Sequence, residues 1–248
     1  MNRLIEYCRT GHCEGVRRAI ELGEDINITD HYGQSLLMYA TINGHSDIIR
    51  ILVDNGADVN SSNNNALTPL LLAIISQQYE VAKILLTIGA NVNQANGAGR
   101  TPLLETVIYG SMEMVDMLIT FGANINHTDN EEYSPLMVAV LNQRYTEMVK
   151  LLIKKGANIN QVNSRGYTPL MWAILTNNST TAQLLLDSGA NVFHCNTKGD
   201  TPLMLAMRPG STNRTIDPII RYYIYNMLVE TGLSVLPRDI LHEIINYL

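Results

Sequence analysis

Thr68-Pro69-Leu70, followed by an aliphatic run and closed by Gly89-Ala90-Asn91-Val92-Asn93, is the stretch that decides the fold, because the chain repeats it. In close variants the phrase occurs six times, about every 33 residues. Thr68-Pro69-Leu70 returns 33 residues on as Thr101-Pro102-Leu103, and Thr168-Pro169-Leu170 returns as Thr201-Pro202-Leu203. Gly56-Ala57-Asp58-Val59-Asn60 likewise returns as Gly89-Ala90-Asn91-Val92-Asn93. A fixed period of this size marks a solenoid, in which each unit buries its apolar face only against its neighbours. Such a chain presents a long binding surface rather than a catalytic pocket.

Each residue type in the phrase has a mechanical job. Thr68, Thr101, Thr168 and Thr201, with Ser35 and Ser134 in two units, stand where a hydroxyl accepts from the open N–H groups of a starting helix. Proline follows at the first helical position, where its missing N–H costs nothing. The second helix of each unit carries apolar residues near a 3.6-residue period, as in Ile48, Ile49, Leu52 and Val53, or Val81, Ile84, Leu85 and Leu86. It stops at Gly56, Gly89, Gly122, Gly156 or Gly189, placed as left-handed caps. The Asp/Asn-rich stretch that follows suits a tight turn.

These phrases resemble the ankyrin repeat over nearly the whole chain. The resemblance implies an all-α solenoid of stacked helix-turn-helix units with β-hairpin-like tips. Units begin near Asp30, Asn63, Asn96, Asp129, Asn163 and Asn196. The expected organisation is a degenerate capping repeat over 1–29, five repeats over 30–195, and a distorted last repeat over 196–235. An insertion at 208–217, containing Arg208-Pro209-Gly210-Ser211-Thr212-Asn213, splits that last unit, and residues 236–248 form a separate C-terminal helix. Departures from the family pattern are specific. Leu36 replaces proline in the second unit, and Glu132 replaces the glycine seen at Gly33, Gly99, Gly166 and Gly199. Gln77 and Gln143 stand near where other units place Gly44 or Gly110, so altered inter-helix turns are expected there. The fifth unit is one residue longer between its helices. The family's histidine after Pro-Leu is replaced by Met38, Leu71, Leu104, Met137, Met171 and Met204.

Composition narrows the function classes. Charged residues are 16% of the 248, against about 25% in ordinary soluble domains. The net charge of −6, with no basic stripe interleaved with aromatics, argues against nucleic acid. No apolar run approaches the roughly 20 residues that span a bilayer, and Asn2-Arg3 leads directly into an amphipathic helix without a signal-peptide core. Cys8, Cys13 and Cys195 form no metal-ligand cluster and read as reduced thiols of a cytoplasmic protein. On that reading the acceptor-like Asn213-Arg214-Thr215 is irrelevant. His12 and His45 occupy inter-helix turns, and Glu105 has no second carboxylate or histidine at a useful spacing. The cluster Asp129-Asn130-Glu131-Glu132 lacks the spacing and glycine of a calcium loop. No enzyme activity, cofactor or metal is expected.

In the family that the repeats resemble, tips and first helices line the concave face, so a protein partner there is expected. The late position of successive first helices reads Ile42, Ile75, Ile108, Leu141 and Leu175, with Tyr109 beside it. Tyr32, Arg100, Tyr133 and Tyr167 stand on the tips. Two readings of the aliphatic row are open. It packs between adjacent units and extends the core, or it is a recognition ribbon flanked by tyrosines. Asn60, Asn93, Asn126 and Asn160 each follow a leucine eight residues earlier (Leu52, Leu85, Leu118, Leu152), similar to positions that an asparaginyl hydroxylase modifies in ankyrin arrays. Hydrogen bonding within the turn is their simpler role.

The C-terminus reads Leu236-Pro237-Arg238-Asp239-Ile240-Leu241-His242-Glu243-Ile244-Ile245-Asn246-Tyr247-Leu248. This string resembles the first helix of an F-box, an arrangement similar to that of poxviral and intracellular-bacterial ankyrin proteins. The resemblance implies that Leu236, Pro237, Ile240, Leu241, Ile244 and Leu248 contact the linker subunit of a cullin–RING ubiquitin ligase while the repeats hold a substrate, in the host cytoplasm for an effector of that kind. The same apolar face also suits a helix that only caps the last repeat. A stand-alone interaction module or inhibitor is the alternative function.

Overall fold

The computed structural model describes residues 3–207, 219–220 and 222–224. Among these residues the fold is an all-α ankyrin-type solenoid of helix pairs, and the β-structure is one isolated antiparallel bridge between Thr29 and Ser35. The chain divides into two compact units, Met1–Asn130 and Glu131–Leu248. The first unit holds four helix pairs: α1 Arg3–Thr10 with α2 Cys13–Glu21, α3 Leu36–Ile42 with α4 Ser46–Asp54, α5 Pro69–Ile75 with α6 Tyr79–Thr87, and α7 Pro102–Tyr109 with α8 Met112–Thr120. The second holds α9 Pro135–Leu141 with α10 Thr146–Lys154, α11 Pro169–Leu175 with α12 Ser179–Asp187, and α13 Pro202–Ala206. Residues 219–220 and 222–224 are again helical, with Ile220 and Ile224 buried one turn apart. Tyr223 Oη donates to Asp187 Oδ1 on α12. The expected insertion at 208–217 and the expected helix at 236–248 lie outside the described residues.

Local chemistry starts the first helices α3, α5, α7, α9, α11 and α13 in the same way. The hydroxyls of Ser35, Thr68, Thr101, Ser134, Thr168 and Thr201 accept from backbone N–H three residues on, at 3.2–3.4 Å. Proline opens five of these helices, α5, α7, α9, α11 and α13. First helices then pack side by side, α3 on α5, α5 on α7, α9 on α11 and α11 on α13. Second helices present Ile48, Ile49 and Leu52, or Val149 and Leu152, to the same core with no exposure. Each fully buried aliphatic side chain contributes roughly 1.5–3 kcal/mol. Met38, Leu71, Leu104, Met137 and Met171, which stand where the family has histidine, are completely buried and join that core. Met204 alone of that row is exposed.

The two glutamine turns behave differently from one another. Gln77 takes φ +56°, close to Gly44 at +76° and Gly110 at +81°, so the turn there keeps its shape and the expected alteration does not occur. Asn177 does the same at +54°. In the fifth unit the extra residue changes the turn: α9 ends at Asn142 with an extended backbone, and four residues separate α9 from α10 where three separate α5 from α6.

Candidate interaction surface

Five of the tips are each held by one side chain, Asp30, Asn63, Asn96, Asn163 or Asn196. Asp30 Oδ1 accepts from the N–H groups of Tyr32 and Gln34, at 2.9 and 2.8 Å. Asn63 accepts from Asn65 and Leu67, Asn96 from Ala98 and Arg100, Asn163 from Arg165 and Tyr167, and Asn196 from Lys198 and Asp200, all within 3.1 Å. Asn63, Asn163 and Asn196 are buried. A short carbonyl-bearing side chain is needed because only it can fold back onto its own turn. The recurrence of Asp/Asn at this place about every 33 residues, in a stretch whose composition suits a tight turn, is the sequence signal for these bonds.

A second ladder joins neighbouring repeats. Asn60 Oδ1 accepts from Asn91 N at 2.7 Å and its Nδ2 donates to Gly89 O at 3.4 Å. Asn93 makes the same pair with Asn124 N and Gly122 O, and Asn160 with Asn191 N and Gly189 O. The expected bonding within the turn is present, since the backbone N–H groups of Asn60, Asn93, Asn126 and Asn160 donate to Asp58, Asn91, Asn124 and Asn158 Oδ1, and the side chains of Asn60, Asn93 and Asn160 add a clamp from one turn to the next. The tips also meet directly, through Asn64 N to Tyr32 O and Asn130 N to Ala98 O in the first unit, and Thr197 N to Arg165 O in the second. The histidines serve the same scaffold. His12 Nδ1 accepts from Gly15 N, while His45, His127 and His194 donate from Nε2 to backbone carbonyls.

With the backbone so occupied, side chains of the tips and first helices face outward. In the first unit, Tyr32 is 61% exposed and its ring lies 3.8 Å from that of His31. Ile42, Ile75 and Ile108 are half-buried, and Tyr109 is 41% exposed. Half-buried Arg100 brings Nε to 3.8 Å from Asp129 Oδ2. In the second unit Leu141 and Leu175 are 38% and 41% exposed, while Tyr133 and Tyr167 are half-buried against Trp172. The aliphatic row is thus split in character, half-packed at its isoleucines and open at its leucines. Sequence reasoning did not single out Trp172, because its ring partners come from two different tips. Glu105 is a buried carboxylate that accepts from Asn96 Nδ2 at 2.9 Å.

Asp30, Tyr39 and Cys8 are among the ionisable groups displaced from their ordinary behaviour. Partial burial pushes the Asp30 carboxyl up, but hydrogen bonds from Gln34 N, Tyr39 Oη and Tyr32 N outweigh it and hold the group below its usual 3.8. The same bond raises the Tyr39 phenol. A carboxyl depressed in the folded state stabilises it above the ordinary carboxylate pKa, and that stabilisation disappears as pH falls through the folded value. The stability difference between the wild type and Asp30→Asn should therefore be constant above about pH 5 and shrink below about pH 4, as read by urea unfolding across pH. The Cys8 thiol is pushed up to about 12 by burial, with the nearby Cys13 adding to the shift. Among the described residues, no group of His, Cys, Asp or Glu could hold a metal ion, and no helix is long and apolar enough to cross a membrane.

The sequence matches the family profile described as ankyrin repeats (3 copies) over residues 4–96, 89–163 and 145–215. The chain belongs to the ankyrin-repeat family. Among solved structures it is similar to the ankyrin repeat domain of human ASB11, with 27% identity, a TM-score of 0.71, and 90% of this chain and 98% of that one covered. It is also similar to the ankyrin repeat domain of Bcl-3, described as a unique member of the IkappaB protein family, with 28% identity, a TM-score of 0.82, and 89% and 98% covered. No curated protein matches the sequence. Ankyrin repeats are protein-interaction modules, and this chain is an ankyrin-repeat protein-interaction scaffold.

Proposed function

We propose that the chain is a substrate adaptor, in which the repeats hold a captured protein and the C-terminal helix joins it to a cullin–RING ubiquitin ligase in the cytoplasm. The observation that carries the ligase link is the string Leu236-Pro237-Arg238-Asp239-Ile240-Leu241, continued by Ile244 and by Tyr247-Leu248, with its F-box-like order of residues. Leu236, Pro237, Ile240, Leu241, Ile244 and Leu248 are the contacts to the ligase linker subunit. The captured protein lies against Tyr32, Ile42, Ile75, Arg100, Ile108 and Tyr109 in the first unit, and against Tyr133, Leu141, Tyr167 and Leu175 in the second. The exposure of Tyr109, Leu141 and Leu175 beside rigidly bonded tips supports that assignment, because aromatic and aliphatic anchors on a fixed frame lose little entropy on binding.

The test is affinity capture from cells with the full chain, a chain lacking 236–248, and the variant Leu241→Glu/Ile244→Glu. The linker subunit should be recovered by the full chain alone, with melting of the double variant followed in parallel. Equal recovery by all three sinks the adaptor reading and leaves an interaction module or inhibitor acting by occupancy.

A further inference from the structure

The second unit brings three aromatic rings together on the side where its tips and first helices emerge. Trp172 on α11 packs against Tyr167 of its own tip, with ring centroids 5.1 Å apart and planes at 32°. It also packs against Tyr133 of the preceding tip, at 5.7 Å and 40°. All three residues keep part of their surface exposed. The indole N–H is buried without an acceptor, so packing rather than a hydrogen bond sets the ring's position. Because the rings already touch one another, they wall off no space for a quaternary ammonium group. They offer a continuous π surface instead, whose negative faces attract a cation. A planar guanidinium suits such a surface better than an ammonium, since it stacks on the ring and still presents its N–H fork at its edge.

Charge selects one end of this surface. Exposed Glu131 and Glu132 immediately precede Tyr133, whereas Arg165 and Lys198 stand on the next two tips. A cation is therefore favoured beside Tyr133 and disfavoured beyond Tyr167. Leu175 follows Trp172 by three residues, about 5 Å along α11 at 1.5 Å per residue, and Leu141 ends α9. Both leucines are exposed, so an apolar side chain of the same ligand has a place close to the cation.

We propose that the Tyr133–Trp172–Tyr167 surface binds an arginine of an extended protein segment, its guanidinium stacked on Tyr133 and Trp172 and paired with Glu131 and Glu132. A neighbouring apolar residue of the segment rests on Leu141 and Leu175. The inference rests on the protein-capture half of the proposed function and is independent of the ligase link.

Trp172 is the single tryptophan of the chain, so its emission reports on this surface in the full-length protein. The probes are acetylated, amidated pentapeptides carrying arginine beside leucine, and the same peptide with citrulline, lysine or glutamate in place of arginine. The arginine peptide should perturb the emission saturably and bind about fivefold tighter than its citrulline counterpart, which has the same shape without charge. The glutamate peptide should bind weakest. Glu131→Gln/Glu132→Gln, or a rise in salt from about 0.05 to 0.5 M, should remove most of the arginine advantage and leave the citrulline titration unchanged. Equal titration by the arginine and citrulline peptides, or an arginine affinity untouched by the double glutamine substitution, overturns the proposal. If the two peptides titrate equally and Leu141→Glu abolishes both, polypeptide binding stands and only the arginine preference is lost. If no peptide responds and Leu141→Glu leaves capture from cells intact, protein binding at this surface falls as well.

Discussion

Asn163→Ala should lower the unfolding free energy by about 2–4 kcal/mol, measured by urea denaturation. The side chain is buried, and its Oδ1 is the acceptor for Arg165 N at 3.1 Å and Tyr167 N at 3.0 Å. Truncation strands two backbone donors in a part-buried tip, at about 1–2 kcal/mol for each, the lower part of the range for an unsatisfied group because Arg165 is exposed. Asn163→Asp keeps the acceptor oxygen, as Asp30 does in the second repeat, and should cost much less. Hydrogen exchange gives an independent reading, because amide protection at Arg165 and Tyr167 should fall in the alanine variant before protection in α11 does. An alanine variant as stable as the aspartate one would mean that the tip is held by its neighbours and not by its own side chain.

Gly166→Ala and Glu132→Gly should move stability in opposite directions although they alter the same place in successive repeats. Gly166 has φ +72°, and a β-carbon there would stand 3.0 Å from both Asn196 Cα and Thr197 N, which are backbone atoms that cannot swing aside. The left-handed backbone costs about 1–2 kcal/mol for alanine, and the crowding adds about 1–3 kcal/mol. A total loss of about 2–5 kcal/mol is expected, seen as a lower urea midpoint with an unchanged m-value. Glu132 already occupies the left-handed region at φ +62°, so glycine relieves strain there and should raise stability by up to about 1 kcal/mol. Loss of stability in Glu132→Gly would show that the carboxylate holds its tip through an interaction larger than the strain. Ala66 is a third case, at φ +56°, and the next tip carries Gly97 where the two tips on either side carry Asn64 and Asn130. The side chain gained at one tip is thus matched by one lost at the next.

The helical frame was legible because its signals are local. A hydroxyl three residues ahead of the N–H it caps, a proline at the first helical turn and a glycine past the last one each act within a few residues of themselves. The Asn60, Asn93 and Asn160 clamps were visible as a recurrence but not as a joint, since their partners lie 29 and 31 residues away. The Gln77 turn misled because propensity favours glycine there, and packing of the two flanking helices overrode it. At the interaction surface, alignment of the repeats put Ile42, Ile75, Ile108, Leu141 and Leu175 in one row. Whether each is covered depends on the bulk of side chains in adjoining repeats, which a row of similar residues does not reveal. Trp172 escaped for the same reason: beside Tyr167, five residues away, its ring meets Tyr133 of the preceding tip, 39 residues away.

The clamps between turns have a consequence for how such a chain grows. Each asparagine grips only main-chain atoms of the following repeat, an amide N–H and a glycine carbonyl, which any copy of the module supplies. At these clamps, therefore, a duplicated or deleted stretch of one full period meets compatible partners at both seams, whereas a matched tip pair such as Ala66 and Gly97 must be kept together. Lineages carrying genes of this type can lengthen or shorten the array by recombination while leaving the outward side chains of each module free to diverge.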